Sequence, residues 1–543
     1  MLPLLYQALA VVGVFCVTFP VVVLYQNRRP KINLPGPKGW PLIGLGLDLP
    51  RRPRQMLNDY REKYGDMFQM RLGWYDWVFF NNPRDVKEVF DRKAAITSHK
   101  VALPMAHDYV MGDNGILSMT YSPKWRRMRG FMHQILTPKA SAAFIPSQEF
   151  EIKQLLNDFA GEEGKNSTDF YMFIRRMTFS IMMTSTYGTR IPEWDCEEVR
   201  GVYGNMRILS IILRPGTFWV DVFPPLRIFP RWIMPTYWLL ARKCKKFMQD
   251  STMKHWYKLK EKYQNGQAPE CFAKHLMEAN YEEMGLDEVT MSWLAHAVPE
   301  AGAETTASAL NSLLMHLATH PEAQETAAQE VTSVLGDSRL ANIDDEAAMP
   351  YIRAVIKEIL RMCPVATTGL RRMAGESFEY KGVKVPKQTI LLANINALHW
   401  DEERFAEPYK FKPERYLDHP FRSAVYANSA DVEGRDHFTF GAGRRVCPGI
   451  HLAENGLFLA VANLIWAFEF KRPLDNVGVE KEMDIGDEAF LDGAIRIPKP
   501  YEVRIVPRNK ERLRLVRDTW TEAQRVGYTL RGMEVDAKGG IKV

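Results

Sequence analysis

Cys447 lies in a stretch of sequence whose residue types suit a thiolate that binds a metal ion. Residues 438–450 read FTFGAGRRVCPGI, and five of them stand out by type and spacing: Phe440, Gly443, Arg445, Cys447 and Gly449. A metal-bound thiolate needs a dry pocket and hydrogen-bond donors, because it would otherwise be protonated or oxidised. The glycines allow sharp turns that direct backbone amides at the sulfur, and Phe440 would shield one side. An inert core cysteine would explain none of these neighbours.

The sequence after the cysteine predicts how the anion is stabilised. Residues 451–470 read HLAENGLFLAVANLIWAFEF and favour a helix, so Cys447 would lie just before a helix begins. The positive end of the helix dipole favours an anion at that place. The whole pattern resembles the haem-binding loop of the cytochrome P450 superfamily, F-x-x-G-x-R-x-C-x-G. The resemblance implies heme b with Cys447 as its axial thiolate ligand, and Arg445 beside a haem propionate.

A second stretch has the composition of an oxygen-binding groove. Residues 301–306 read AGAETT, within a helical pattern from about Leu286 to Thr319. They resemble the family motif A-G-x-[DE]-T-[TS], which crosses the distal face of the haem. Small residues leave room for dioxygen, and Thr305 with water ordered by Glu304 can relay two protons to the distal oxygen. Taken alone, the stretch also fits an ordinary helix with a solvated glutamate.

Three charged residues resemble a motif that precedes the cysteine loop in the same family. Glu358 and Arg361 lie three residues apart on a predicted amphipathic helix, as in the family's E-x-x-R motif, and Arg415 resembles its third member. Buried together, one carboxylate and two guanidinium groups would make the segment before the cysteine rigid. A solvated helix face is the ordinary alternative for such a spacing.

Further basic and aromatic residues resemble the family's contacts with the two haem propionates. Trp125 and Arg129 are four residues apart and share one face of a predicted helix. The resemblance implies that they contact one propionate. Arg372 falls where the family has a residue for the other propionate, although Arg371 is an alternative for that role.

The elements that position these residues are mostly helices. Helical periodicity dominates from about residue 50 to 365, a strand-rich stretch covers about 366 to 395, and a proline-bearing meander leads to the cysteine. Pro299 lies inside the helix of the oxygen groove and predicts a kink, whose effect on the groove the sequence leaves open. We expect a mainly α fold with a minor β component, the cytochrome P450 fold, over residues 47–510, followed by a C-terminal tail at 511–543.

Composition excludes several other classes of protein. The chain of 543 residues is 46% hydrophobic and 25% charged, which is typical of a globular protein. Its net charge of +6 suits a docking face for an acidic partner or an anionic membrane, and no zinc-finger or RNA-binding pattern favours nucleic acid. The six cysteines include no C-x-x-C pair, which argues against a disulfide framework or a structural zinc site and indicates a reducing compartment.

The N-terminus predicts a membrane anchor. Residues 4–25 read LLYQALAVVGVFCVTFPVVVLY, and the first charged side chain is Arg28. That run is about long enough to cross a bilayer as one helix, whereas a cleavable signal peptide would have a basic leader and a shorter apolar region. Basic residues follow the run, so the rest of the chain is expected on the cytosolic side of the endoplasmic reticulum membrane. We therefore predict a transmembrane signal anchor at 1–27 and a basic, Pro/Gly-rich hinge at 28–46.

The chain carries no sequence pattern for a fused flavin or NADPH domain. The resemblance therefore implies an NADPH- and O2-dependent monooxygenase that receives electrons from a separate NADPH–cytochrome P450 reductase, with cytochrome b5 as a further candidate donor. A basic docking face is predicted from Lys124, Arg126, Arg127 and Arg444. Solvated surface charge is the alternative explanation for these residues.

The segment from Asn205 to Met248 is dense in aromatic residues and proline. Its aromatic residues are Phe218, Trp219, Phe223, Phe229, Trp232, Tyr237 and Trp238. The prolines exclude a second membrane span, and basic residues follow the aromatic ones. We expect a second contact with membrane lipid here, through which a lipophilic substrate enters. Ordinary core packing is the alternative for about half of these aromatic residues.

Three functions remain open from the sequence. The leading one is oxidation of a lipophilic small molecule, in the style of fungal secondary-metabolism enzymes, with an aromatic polyketide, alkaloid or terpenoid intermediate as the substrate class. The second is phenol coupling, dehydrogenation or ring rearrangement on the same fold. The third is a haem-binding sensor or electron carrier without turnover. Glu304 and Thr305 argue against the third, because a sensor needs no proton relay.

Overall fold

A computed structural model describes residues 30–40, 43–46, 54–101, 103–214, 216–228, 235–366, 371–491 and 495–542. The predicted membrane anchor, part of the hinge and residues 229–234 of the aromatic segment lie outside these residues. Among the described helices, one is long and apolar enough to cross a membrane, Ile450–Ala467. Because 89% of it is buried inside the protein, it is a core helix.

Helices make up most of the described chain. They are α1 Arg54–Tyr64, α2 Pro83–Val86, α3 Ala94–Thr97, α4 Pro123–Leu136, α5 Pro138–Ala142, α6 Ile145–Ala160, α7 Phe170–Tyr187, α8 Glu197–Ile212, α9 Trp219–Val222, α10 Pro235–Gln264, α11 Phe272–Glu278, α12 Glu288–Thr319, α13 Pro321–Leu335, α14 Pro350–Met362, α15 Ile395–His399, α16 Ser423–Asn428, α17 Ile450–Ala467 and α18 Lys510–Val526. The expectation of a mainly α fold is confirmed.

Short strands form four small sheets. The strands are β1 Met67–Leu72, β2 Tyr75–Phe80, β3 Asn166–Ser167, β4 Arg372–Met373, β5 Phe378–Tyr380, β6 Val383–Val385, β7 Ile390–Ala393, β8 Phe468–Lys471, β9 Val503–Pro507, β10 Tyr528–Leu530, β11 Met533–Val535 and β12 Ile541–Lys542. Their orders are β1-β2-β7-β4, β3-β9-β8, β5-β6 and β10-β11-β12. In the first sheet β2 pairs in parallel with β7, and the other neighbours are antiparallel.

The largest core lies where α6, α7, α12 and α17 pack together. The α12 helix begins at a capping side chain, Asp287, which accepts a hydrogen bond from the amide of Thr290 at 2.7 Å. It ends before Pro321 and runs unbroken through Pro299. Proline normally breaks a helix, and here the dense packing on α12 holds the helix together across it. The elements that carry the chemistry are therefore anchored in the most buried part of the protein.

Two regions differ from the sequence expectation. Residues 67–80 form the antiparallel pair β1–β2, although the sequence was read as helical there. Hydrophobic periodicity alone does not separate short apolar strands from buried helix, and Gly73 marks the turn between the two strands.

The predicted C-terminal tail is an ordered part of the fold. Its helix α18 buries Leu513, Val516 and Trp520 on one face and packs on α6, and β10 also contacts α6.

Candidate active site

The cysteine loop, residues 438–450, turns sharply at two glycines. Gly441 and Gly443 have φ angles of 76° and 55°, in the left-handed region that side chains rarely adopt. A Cβ on Gly443 would also overlap the carbonyl oxygen of Phe90. The predicted turn at Gly449 has a different basis, since its φ of −86° is open to any residue. Gly449 instead caps the start of α17, which places the cysteine just ahead of a helix as predicted.

Cys447 is held by backbone hydrogen bonds within this loop. Its amide donates to the carbonyl oxygen of Phe440 at 2.8 Å. Burial raises the pKa of its thiol, while the amide of Gly449 and the charge of Arg129 act in the opposite direction. The side chain of this residue is only half-buried, although the elements around it belong to the core. The loop therefore presents a half-buried sulfur atom with two groups that favour its anion.

Arginines from three separate elements converge on the cysteine loop. Arg129 of α4 donates to the carbonyl oxygen of Val446, and Arg372 of β4 donates to those of Phe90 and Ala442. Arg445 donates to the carbonyl oxygens of Ser98 and Met119, at 2.9 and 2.8 Å. The loop and its flanking elements are therefore fastened by charged donors.

Trp125 lies against this group of arginines. The guanidinium of Arg445 stacks over the Trp125 ring, 4.0 Å from its centroid. The indole nitrogen donates to the carbonyl oxygen of Ile116 at 3.2 Å. The alternative of Arg371 for the role of Arg372 is not favoured, because Arg371 donates to Leu213 and its guanidinium lies 5.9 Å from the Trp77 ring centroid.

Lys100 is a member of this basic cluster that the sequence reading missed. Its side chain is buried and its ammonium group donates to the carbonyl oxygen of Arg371 at 2.7 Å. Burial, followed by the charges of Arg445 and Arg372, holds the pKa of Lys100 well below its usual value. A lone lysine carries no recognisable motif in the sequence, since only its place in the fold brings it to the arginines.

The cluster formed by Lys100, Arg129, Arg372 and Arg445 has an excess of positive charge. Within the described chain, none of the four forms an ion pair with a carboxylate. Burial also lowers the pKa of Arg372 to about 10 and that of Arg445 to about 9. Buried charges are normally paired, so this cluster fits a ligand that brings its own negative charges. The two propionates of a haem would supply such charges.

The predicted oxygen groove lies in the middle of α12. Ala301 is exposed there, and Gly302, Thr305 and Thr306 are half-buried, although almost all other residues in this half of the helix are buried. A Cβ on Gly302 would overlap the sulfur of Met182, so α12 and α7 approach closely at this point. The Thr305 hydroxyl donates to the carbonyl oxygen of Ala301 at 2.7 Å. One turn of a core helix thus opens onto a space and presents a hydroxyl group.

Glu304 points to a different side of α12. It is buried and forms an ion pair with Arg175 of α7, beside Tyr203 of α8. Burial raises the pKa of Glu304, and the charge of Arg175 opposes that shift. The sequence reading placed Glu304 next to ordered water and did not anticipate Arg175, because nothing in the spacing of α7 and α12 along the chain connects the two residues.

The E-x-x-R residues form the predicted buried charge group. Arg361 donates twice to Glu358 at 2.8 Å, and Arg415 donates to the same carboxylate at 3.1 Å. Glu358 and Arg361 are fully buried, so the alternative of a solvated helix face is wrong for them. Arg361 also donates to the carbonyl oxygens of His399 and Pro408, in the meander that leads to the cysteine loop. These bonds tie α14 to the meander.

Comparisons with known proteins identify the family of the chain. The family model for cytochrome P450 matches residues 34–503. The chain is 41% identical over 521 residues to cytochrome P450 monooxygenase pgmC of Aspergillus terreus, covering 96% of this chain and 94% of that protein. It is 32% identical over 506 residues to cytochrome P450 monooxygenase verL of Clonostachys rogersoniana, covering 92% of each. Cytochrome P450 monooxygenase patI of Aspergillus clavatus is 30% identical over 516 residues, with 94% and 95% covered.

Proposed function

Because the chain belongs to the cytochrome P450 family, we propose that it is a haem-thiolate monooxygenase that oxidises a lipophilic small molecule with O2 and with electrons from NADPH. The observation that carries this proposal is the basic cluster beside the Cys447 loop, in which Lys100 and Arg372 are buried and Arg129 and Arg445 are half-buried. A sulfur atom and a set of cations without paired carboxylates together fit a metal-bearing dianion.

The residues that would hold the haem follow from that cluster. Cys447 supplies the iron ligand, with the Gly449 amide and Arg129 lowering the cost of its negative charge. Arg129, Arg372, Arg445 and Lys100 pair with the propionates, and Trp125 packs beside them. Phe440, Gly443 and Gly449 shape the loop around the sulfur. Bound there, the haem supplies the iron at which dioxygen is reduced and its O–O bond is cleaved.

Two residues of α12 handle protons in this proposal. The Thr305 hydroxyl lies at the exposed turn of the helix and donates to the carbonyl oxygen of Ala301, so its Oγ1 atom would hold and pass on a proton there. Glu304 is the acid that resupplies it, from the adjoining side of the helix. Both residues act because the small side chains at 301–303 keep this turn open.

The substrate is proposed to be a secondary metabolite, with an aromatic polyketide, alkaloid or terpenoid intermediate as the class. The similarity to fungal monooxygenases supports an enzyme of this kind. Phenol coupling, dehydrogenation and ring rearrangement remain the alternative outcomes of the same machinery. The group of half-buried and exposed aromatic residues near α9 and α10 supports an apolar substrate.

Electrons are proposed to come from NADPH–cytochrome P450 reductase, with cytochrome b5 as a further donor. Arg126, Arg127 and Arg444 are exposed, as a docking face for an acidic partner requires, and Lys124 is half-buried. Arg444 also donates to the hydroxyl of Tyr121. The face thus lies on the same side as the Cys447 loop that carries Arg444.

The enzyme is proposed to be anchored in the endoplasmic reticulum membrane by residues 1–27 and joined by the hinge 28–46 to a cytosolic catalytic domain that begins near residue 47. A second membrane contact is proposed at Trp219, which is 52% exposed, and at Leu239 and Leu240, which are 57% and 42% exposed. Phe218 is buried, so part of the aromatic segment is core packing. Phe229 and Trp232 lie outside the described residues.

Expression in microsomes with a reductase tests the proposal. The reduced protein with carbon monoxide should give the spectrum of a thiolate-ligated haem, and NADPH should drive O2 consumption. Candidate lipophilic metabolites that displace a water ligand should then shift the haem spectrum and be oxidised. A haem spectrum without NADPH-driven O2 consumption would favour the sensor, and product analysis separates hydroxylation from coupling.

A further inference from the structure

A strip of buried polar side chains runs along one side of α12. His296, Glu300 and Glu304 are four residues apart, so they lie on one face of the helix. His296 and Glu304 are 1% and 2% exposed, and the side chain of Glu300 is 12% exposed. Three ionisable groups in a row inside a core are costly to bury, and a packing role alone is better served by apolar residues.

The imidazole of His296 connects a phenol with a carboxyl group. Its Nδ1 atom lies 3.4 Å from the hydroxyl of Tyr187, which ends α7. Its Nε2 atom accepts a hydrogen bond from the side-chain amide nitrogen of Asn205 on α8 at 2.9 Å. The same Nε2 atom lies 3.7 Å from Oε1 of Glu300. A histidine in this position can accept a proton at one ring nitrogen and release another from the second.

The outer end of the strip reaches the protein surface. A shallow surface notch is lined by Tyr187, His255, Glu198, Lys258 and Lys262, among others. The His255 ring centroid lies 5.3 Å from that of Tyr187 and 5.6 Å from that of His296. Solvent in the notch therefore comes next to the first groups of the strip.

The inner end of the strip reaches the oxygen groove. Glu304 precedes Thr305, and its carboxyl group lies between Arg175 and the hydroxyl of Tyr203. Among the described residues, Oδ1 of Asn205 is a buried polar atom along the strip without a hydrogen-bond partner. Buried polar atoms of this kind are commonly satisfied by ordered water, which can bridge one carboxyl group to the next.

We propose that this strip is the proton-input path of the enzyme, along which protons enter at Tyr187 and His255, pass through His296 to Glu300, and reach Glu304 beside Thr305. The inference rests on the proposed monooxygenase function and assigns roles to Tyr187, His255, His296 and Glu300 that the haem-binding and oxygen motifs do not. Tyr187 and His296 exchange a proton directly, and ordered water carries one proton at a time between the other neighbours, which lie beyond hydrogen-bond length. Each group regains a proton from the notch side.

The electrostatics of the strip suit this role. Burial raises the pKa of Glu300 to about 8, against the hydrogen bond from Asn205, so Glu300 holds a proton at neutral pH. Burial lowers the pKa of His255 to about 4 and that of His296 well below its usual value, so both rings are neutral acceptors. The other charged or titratable groups that face the strip are Tyr187, Arg175, Tyr203, Glu198, Lys254 and Lys258.

Infrared spectroscopy of the purified full-length protein tests the inference without turnover. The protonated carboxyl group of Glu300 should give a C=O band at pH 7 that disappears in Glu300→Gln. Glu288→Gln is the matched control, since Glu288 lies on the same helix and pairs with Lys260 and Trp256 instead. If Glu300→Gln removes no carboxylic acid band at pH 7, Glu300 is ionised and the path is wrong.

Turnover in H2O and D2O gives the second test. With reductase and NADPH, Glu300→Gln should slow NADPH oxidation about tenfold and increase its solvent isotope effect, as loss of a proton-transfer group does. Glu300→Asp should restore most of the rate, and His255→Gln, at the notch, should reproduce the defect if Glu300→Gln folds poorly. Equal behaviour of the strip variants and Glu288→Gln would overturn the path. A wild-type protein without the thiolate spectrum would instead contradict the proposed function.

Discussion

The two sides of the proposed haem site are built in different ways. Charged side chains from α4, from β4 and from the cysteine loop itself donate hydrogen bonds to backbone carbonyl groups in and around this loop. The middle of α12 has an exposed residue, Ala301, and a hydroxyl group, that of Thr305, which among the described residues bonds only within its own helix. A fixed loop suits a permanent ligand, whereas the open helix suits water, protons and substrate that come and go.

The difference predicts that substitutions on the cysteine side affect folding, and that substitutions on α12 affect turnover.

The largest effect is expected at the buried charge group of Glu358, Arg361 and Arg415 behind the loop. Glu358→Ala leaves Arg361 buried without its carboxylate, which should cost about 3–5 kcal/mol. We expect little folded, haem-containing protein, measured by yield and by the ratio of haem to protein absorbance. The exposed pair Arg525–Glu522 provides the control, since Glu522→Ala should change neither quantity.

Thr305→Ala tests the other side of the comparison. The variant should fold and bind haem as the wild type does, because among the described residues the Thr305 hydroxyl bonds only to the carbonyl oxygen of Ala301 in its own helix. Productive turnover should fall by about one to three orders of magnitude, with peroxide released instead. The measurement is peroxide formed per NADPH oxidised. If the amount of peroxide formed per NADPH oxidised is unchanged, the proton relay runs through Thr306 or through water instead.

Lys100→Met should raise the stability of the haem-free protein and lower its affinity for haem. The low pKa of Lys100 shows that its charge is unfavourable in the folded protein without an anion nearby, so methionine should stabilise the haem-free form. Haem affinity should fall by about tenfold, because one propionate partner is lost. Thermal unfolding of the haem-free protein and haem titration measure the two quantities. A loss of stability together with unchanged haem affinity would remove Lys100 from the site.

The pH dependence of the stability of the haem-free protein follows from the direction in which folding shifts the pKa of Lys100. A lysine whose pKa is lowered by folding binds its proton more weakly in the folded state than in the unfolded state. The charge of Lys100 therefore destabilises the folded protein fully at pH values below its pKa in the folded state. This effect fades as the pH rises towards its pKa in the unfolded state. The stability difference between Lys100→Met and the wild type should accordingly shrink at alkaline pH in urea unfolding, and a difference that grows with pH would contradict this assignment.

The smallest effect is expected far from both sides, at the proposed membrane contact. Trp219→Asp in protein lacking residues 1–27 should weaken liposome binding several-fold, because an exposed aromatic side chain is replaced by a charge. Val477→Asp is the control, since Val477 is 83% exposed and lies in a distant loop. Equal binding of the two variants would show that the patch near α9 and α10 does not contact lipid.

The sequence predicts the cysteine side of the site better than the α12 side, because the two sides are built in different ways. The cysteine loop and the E-x-x-R helix are local patterns, because each needs particular residues at fixed spacing to hold the chain in shape. Lys100, Arg175 and the strip with His296 and Glu300 are assembled from distant segments, so no spacing reveals them. The main helices were predictable from periodicity, whereas β1 and β2 were missed because short apolar strands resemble buried helix. The amphipathic α18 was treated as a tail, although Leu513, Val516 and Trp520 repeat at helical spacing.

The central claim is that Cys447 is the thiolate ligand of a haem iron, and the reduced carbon monoxide spectrum tests it most directly. Wild-type protein and Cys196→Ser, a half-exposed cysteine outside the site, should both show the band of a thiolate-ligated haem. Cys447→Ser should lack that band and be inactive with reductase and NADPH. A thiolate-type spectrum retained in Cys447→Ser, or absent from the haem-loaded wild type, would contradict the account.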